Sequence, residues 1–460
     1  MNDDDIARAG RNAAARMQRR RDNAAHAQRT HSEARRLAGR DRVRAAAAAG
    51  HAPKALRIPI TNTFDYSDYS AALKVGSHAA VVNVILDTGS STLAVDPTAY
   101  SGRGDAALVP TTLAQRVMYG TGGWLGPVVN TTLTLGDVAL AQCPVAITSA
   151  QDADNFNGVT GILGLAYYGL NYDYDLSAEL AHRGEKSTYP WTLTGTDWKT
   201  ATRQFDDIVD KTNPTQGSLW PYFDQLEKSG VVANKFALYT KRSWSSLARK
   251  DWQNDPLNHG WFILGGGEEQ KDLYRGAFLD VEVLHDVYYN AHLKSVRVGQ
   301  QPAVAAAALQ PQYRAGSISN AIIDSGTGNL SLAEDVYNAV LQGLRAVNPR
   351  FLELAQESIK RASQDQGKHG IPVAELDLTQ WPKLYFVLTG KDGADVELCC
   401  EPSTYWQVDF PEKDQAIFQI GGPLGAENQS VLGLPLLNNY YTVFDRTEDS
   451  YGVVRFAPIR

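Results

Sequence analysis

The sequence of 460 residues holds only three cysteines, Cys143, Cys399 and Cys400. Two of them are neighbours, and adjacent cysteines rarely close an unstrained disulfide with each other. No disulfide framework is expected. None of the three has the paired spacing with histidine that zinc requires, so no structural metal and no cofactor is expected either. Long apolar runs are missing as well. Met1 to Gly50 contains nothing resembling the core of a signal peptide, and no stretch is long enough to span a bilayer. Few cysteines and no visible leader favour a reducing cytoplasm; a secreted or periplasmic place would follow if a leader is absent from the sequence. In the cytoplasm the sequons at Asn130, Asn329 and Asn428 are accidental.

A basic folded body is also absent. Residues 1–57 carry 14 Lys and Arg against 6 Asp and Glu, whereas the net charge of the whole is -7. The body is therefore acidic and its N-terminal arm basic, which argues against nucleic acid as a partner. The arm, rich in Ala and Arg, has too few apolar residues for a core of its own. It reads either as a prosegment whose arginines cover an acidic cleft, or as a solvated tail.

What is present from Leu56 onward is a succession of short strand-type runs separated by Gly, Asn and Asp: LRIPI, SAALKV, AVVNVIL, NTTLTLGDVAL and CPVAIT. They define a β-rich unit over 58–240, interrupted at 171–219 by a polar, tyrosine- and tryptophan-containing stretch read as a helix-bearing insertion. PYFDQLEKSG reads as a short helix. Strand-type runs FALYT, WFILGG, AFLDVEVL and LKSVRVG follow, and a second β-rich unit extends over 241–460. Within it LAEDVYNAVLQGLRAV places Val336, Val340, Leu341 and Leu344 at helical spacing, and strands are expected from there to the C-terminus.

The chemistry lies in a repeat. VVNVILDTGSS sends Asp87-Thr88-Gly89-Ser90 out of a buried strand at a turn, and NAIIDSGTG does the same with Asp324-Ser325-Gly326-Thr327. A single Asp-Thr/Ser-Gly triplet is an ordinary β-turn, but two copies with matching apolar approaches mark two units of one plan. Each copy also has a later apolar-apolar-Gly string, Ile162-Leu163-Gly164 and Val431-Leu432-Gly433. Two such units would present one carboxylate each to a shared cleft. Closely placed carboxylates share a proton and titrate as a pair, one value lowered and one raised, for which aspartic proteases are a standard worked case. One member then acts as base toward a water and the other as acid toward a carbonyl oxygen.

These strings resemble the pepsin family of aspartic proteases over residues 58–460. VMYGTGG resembles that family's flap, WFILGGGEE one of its central strands, and NNYYTVFDRTEDSYGVVRFAP its C-terminal strands. The resemblance implies a mainly β, bilobal fold with the active site between pseudo-symmetric lobes. It also implies a bacterial-type member without disulfides. Asp87 and Asp324 would be the catalytic pair, Ser90 and Thr327 the hydroxyls bonded to the outer carboxylate oxygens, and Gly89 and Gly326 the close backbone approach. Tyr119, Gly120 and Thr121 would form the flap tip. The implied activity is an aspartic endopeptidase acting on polypeptides beside hydrophobic residues, with an acidic optimum, as a monomer. One departure stands out: the family has a tryptophan seven residues after the first aspartate, and here that position is Ala94, for which Trp124 on the flap is a candidate substitute. The rivals are a catalytically silent peptide-binding or inhibitor protein on the same lobes and a two-carboxylate glycosidase, whose acid and nucleophile need no paired Asp-Thr/Ser-Gly turns. Ser-His-Asp chemistry lacks a nucleophile elbow.

Overall fold

The computed structural model describes residues 55–460 except 65–67, 120–121, 153–155, 157, 315–316, 365–368, 425–427 and 449–450; of the preceding residues only Asp41 and Ala45 are described. The arm at 1–57 therefore lies almost wholly outside the described residues. Its last residues belong to the body: Leu56 opens the first strand, and Arg57 pairs with Asp272 at 2.7 Å and lies over the Trp261 ring.

The chain is mainly β, in the two-lobed plan expected. The first lobe is built from β1 (Leu56–Thr61), β2 (Ser70–Val75), β3 (Ala80–Asp87), β4 (Leu93–Val95), β5 (Val109–Tyr119), β6 (Gly122–Leu135), β7 (Val138–Ile147), β8 (Ala150–Gln151) and β9 (Gly161–Gly164). Alternation explains the outer strands: in β1 the buried residues are Leu56, Ile58 and Ile60, with Arg57 and Pro59 exposed between them. β3 changes character along its length, ending in the buried run Val84-Ile85-Leu86-Asp87 because parallel β9 covers it.

The lobes are joined by a shared sheet. β12 (Lys235–Tyr239) and β13 (His259–Leu264) pair with each other, β1 pairs with β13, and the strand Tyr440–Asp445 pairs with β12. The expected lobe boundary at 240/241 thus falls inside this sheet. Beneath it Phe236 stacks on Phe444 at 4.9 Å and meets Phe223 and Phe262 edge-on or tilted, forming an aromatic pillar between the lobes.

The insertion folds as β10 (Tyr172–Asp175), α1 (Ser177–Arg183), α2 (Trp198–Thr212) and β11 (Gln216–Ser218). α2 is capped by the Asp197 side chain, which accepts from the Thr200 amide, and it ends at Asn213 in the left-handed conformation. Its buried stripe of Ala201, Phe205 and Ile208 follows helical spacing. PYFDQLEKSG forms α3 (Tyr222–Lys228), as its pattern indicates.

In the second lobe α4 (Glu334–Val347) buries Val336, Val340 and Leu344, while Leu341 is only partly covered. The expectation that strands resume directly afterwards is corrected by α5 (Pro349–Gln364). Its signal was present: proline suits the first helical turn, and Phe351, Leu354, Ala355 and Ser358 are buried at i, i+3, i+4 and i+7. Among the described residues no helix is long and apolar enough to cross a membrane. Cys143, Cys399 and Cys400 are free thiols, the first and last buried.

β10 carries a buried carboxyl with a testable property. Burial, and second the charge of Asp175, push Asp173 up to about 6 against a backbone hydrogen bond from Gly217. Because the folded value is raised, its stabilising share is complete below the unfolded value and is lost as pH rises through about 6. Asp173→Asn is expected to raise the unfolding midpoint at pH 7 to 8 and to leave it nearly unchanged at pH 3.5, as followed by thermal melts across that range.

Candidate active site

Each aspartate ends or follows a short buried strand inside the same three-strand arrangement. In the first lobe β3 runs parallel to β9, and β4 returns antiparallel against β9, placing Asp87 opposite Gly164. In the second lobe Ala321–Ile323 runs parallel to Ser430–Leu432, and Leu330–Ser331 returns antiparallel against it. The apolar-apolar-Gly strings are therefore the strands lying directly behind the two acidic loops. Their glycines are required by contact: a Cβ on Gly164 would lie 2.5 Å from the Ser91 backbone, and one on Gly433 would overlap the Thr327 and Asn329 carbonyls.

The two loops interlock. Thr88 N–H donates to Ser325 Oγ at 3.1 Å, and Ser325 N–H donates to Thr88 Oγ1 at 2.8 Å. Each hydroxyl then reaches past the partner loop: Thr88 Oγ1 donates to the Ile323 carbonyl at 3.2 Å and Ser325 Oγ to the Leu86 carbonyl at 2.7 Å. These residues, 0% and 3% exposed, were not singled out from the sequence. Their signal was the hydroxyl-bearing second position shared by both triplets.

This interlock brings the carboxyls face to face. A Cβ on Gly89 would lie 2.7 Å from either oxygen of Asp324, and one on Gly326 would overlap the Asp87 carboxyl, so each glycine gives way to the opposite acid. Gly89 N–H donates to Asp87 Oδ1 at 2.7 Å and Gly326 N–H to Asp324 Oδ1 at 2.9 Å. Thr327 Oγ1 donates to Asp324 Oδ2 at 2.6 Å. Ser90 is the looser counterpart: its buried Oγ makes no hydrogen bond of ordinary length and angle, yet it lies close enough to act on the Asp87 carboxyl as a side-chain hydrogen bond that pulls its pKa down.

Asp87 is 7% exposed and Asp324 8%. Burial, and after it the charge of Asp324, hold Asp87 well above the usual carboxylate range.

A second network fixes the first loop from behind. Leu165 N–H donates to the Asp87 carbonyl at 2.6 Å, and the Leu165 carbonyl accepts from Tyr289 Oη at 2.9 Å and from the Arg446 guanidinium. The Tyr289 carbonyl in turn accepts from Ile323 N–H at 3.1 Å, one residue before Asp324. Arg446, 2% exposed, also donates to Asp224 at 3.0 Å and lies 4.2 Å from the Tyr167 ring centre. Burial alone would lower its pKa, but Tyr289 and Asp224 outweigh that and hold the guanidinium charged.

β5 and β6 form the hairpin expected to serve as the flap, with Tyr119 backbone opposite Gly122. Gly120 and Thr121 lie outside the described residues. Trp124 is fully buried in one cluster with Ala94, Ile85, Phe156 and Ile162. Ala94 and Trp124 thus share one buried cluster, as the reading of Trp124 as a substitute requires.

Two buried acids on twinned, cross-bonded loops define a two-lobed, two-carboxylate site. A model of the eukaryotic aspartyl proteases matches residues 68–181 and 211–458, and the chain belongs to that family. The interval that the match skips, 182–210, lies within the insertion. Among curated proteins the chain is similar to a beta-secretase of Strongylocentrotus purpuratus, 21% identical over 418 residues covering 84% of this chain and 66% of that protein. It is also similar to a cathepsin D of Bos taurus, 24% identical over 269 residues covering 55% of this chain and 56% of that protein. The chain spans somewhat less than two thirds of the length of either relative.

Proposed function

We propose that the protein is an aspartic endopeptidase in which Asp87 and Asp324 activate a water for attack on a peptide carbonyl. The observation that carries this reading is the mutual packing of the loops, in which Gly89 and Gly326 each yield the space that the opposing carboxyl occupies. The ionised member of the pair takes the water's proton as it attacks, and the protonated member donates to the carbonyl oxygen and then to the leaving amine. No covalent intermediate is required. Gly89 and Gly326 N–H groups, with Thr327 Oγ1, orient the carboxyls and stabilise their charge.

An extended peptide would lie between the loops and the hairpin, pairing its main chain with the strand ends and placing alternate side chains in apolar surroundings. Hydrophobic residues beside the cut bond are the expected preference. An acidic optimum follows from the need for one proton on the pair. The basic arm at 1–57 fits a prosegment that pairs with the acidic body at neutral pH and leaves as carboxylates protonate.

The test is cleavage of denatured haemoglobin and of a hydrophobic peptide library between about pH 3 and 7, with and without pepstatin, using the chain with and without its arm. Cleavage at hydrophobic sites that pepstatin stops supports the reading. No cleavage at any pH in either form would transfer the site to the silent peptide binder.

A further inference from the structure

The insertion does more than decorate the first lobe, because it is sewn to the flap hairpin. β10 adds to the free edge of β5, with Tyr174 opposite Ala114 and Asp175 opposite Leu113. Gln115, 1% exposed on β5, donates to Asn171 Oδ1 at 2.7 Å and to the Tyr172 carbonyl at 2.9 Å. Thr188 Oγ1 donates to the Leu113 carbonyl at 2.7 Å. On the other edge β8 pairs with β6, with Gln151 opposite Trp124, and Asp152 N–H donates to the Gly123 carbonyl at 2.8 Å.

One face of the hairpin is also covered. Ala114 of β5 and Leu125 of β6 are fully buried in a cluster with Leu180, Ala201, Phe205 and Ile208 from α1 and α2. Further toward the tip Arg116 makes an ion pair with Asp206 of α2, and the Trp198 ring reaches within 3.0 Å of where a Gly123 side chain would begin. Asp206 is about half exposed, so the ion pair alone contributes little, and the ring contact with the strand pairing carries the support. The opposite face presents Val117 and Trp124 to the Ala94 cluster.

A two-stranded hairpin alone is marginal and would swing from its base. Here the β6 edge and one face are held to within a rung of Tyr119 opposite Gly122, and the β5 edge as far as Gln115. We propose that the insertion is a brace that sets the height of the flap over the two carboxyls, and that Trp198 is a positioning residue through which α2 holds the outer hairpin. A pre-set hairpin keeps the binding-competent arrangement populated before substrate arrives, so apparent affinity is not reduced by the fraction of lifted states. The brace thus acts on binding and residence of an extended peptide, while the acid–base step is left to the aspartates. This consequence rests on the peptidase reading; the mechanical claim does not.

Trp198→Ala in the full chain, with Trp198→Phe as the conservative variant, separates the two. Hydrogen exchange of peptides covering 113–125 is expected to be about tenfold faster in the alanine variant and close to the parent in the phenylalanine variant. Peptides covering 384–400 in the second lobe should be unchanged. In turnover assays the alanine variant is expected to show KM raised several-fold, with kcat within about twofold. Faster exchange in 199–212 without any change in 113–125 would overturn the brace. So would faster exchange in 113–125 accompanied by an equal gain throughout the chain, which is general loosening. If the parent cleaves nothing, the peptidase reading falls alone, and the exchange result still decides the brace.

Discussion

Asp87→Asn is expected to reduce peptide cleavage by about 10³-fold or more, because it removes one of the two groups between which the proton must move. The same change is expected to stabilise the protein at neutral pH. Asp87 has its pKa raised by burial and by the facing Asp324, so the folded state binds its proton more tightly than the unfolded state does. Its share of stability is complete below the unfolded value and is lost as pH rises through the folded one. At pH 7 the ionised group is therefore a burden that asparagine, neutral and nearly isosteric, relieves. Melting curves of parent and variant should converge toward pH 3 and separate upward of it, with the variant the higher. A variant that melts lower at every pH would mean that the carboxyl is structurally needed, and the account of its charge would be wrong.

Arg446→Met is expected to cost about 3–5 kcal/mol of stability, the usual penalty for removing one partner of a buried ion pair. The guanidinium is 2% exposed, meets Asp224 at 3.0 Å, and caps the Leu165 carbonyl whose own amide holds the Asp87 carbonyl. Removing it takes the guanidinium away from Asp224 and from the rings of Tyr167, Phe223 and Tyr289 that it lies over, and frees the backbone behind the first loop. Urea titration should show the midpoint fall with the slope preserved. Arg446→Met combined with Asp224→Leu should recover a good part of the loss, since the buried carboxylate that faced the guanidinium is then gone too. If the double variant is as unstable as the single, the Leu165 contact rather than the ion pair carries the energy.

Much of this site could be read directly from residues. The twinned Asp-Thr/Ser-Gly turns and the two apolar-apolar-Gly strings placed both acids and the strands behind them, because strand alternation and glycine packing are local in sequence. What escaped was set by contacts across the chain. Thr88 and Ser325 gain their role only because their loops, 237 residues apart, meet. The same holds for Arg446, whose partners come from α3, from the residue after β9, and from Tyr289. α5 was missed for a different reason: its apolar stripe follows α4 with only Asn348 between, so one helical pattern runs straight into the next. The insertion was recognised as foreign, but no local pattern could say that its first strand would seek the edge of β5.

The crossed bonds of Thr88 and Ser325 also behave as an axle. Any rocking of one lobe against the other is a rotation, and points far from its axis travel further than points close to it. The shared sheet joins the lobes elsewhere, but these two residues tie them right beside the aspartates. Were the lobes to rock, the rim of the cleft would therefore move more than the distance between Asp87 and Asp324. Reach and reactivity are thereby separated: the outer walls can be adjusted for what enters, and the pair at the pivot keeps one geometry for what is cut.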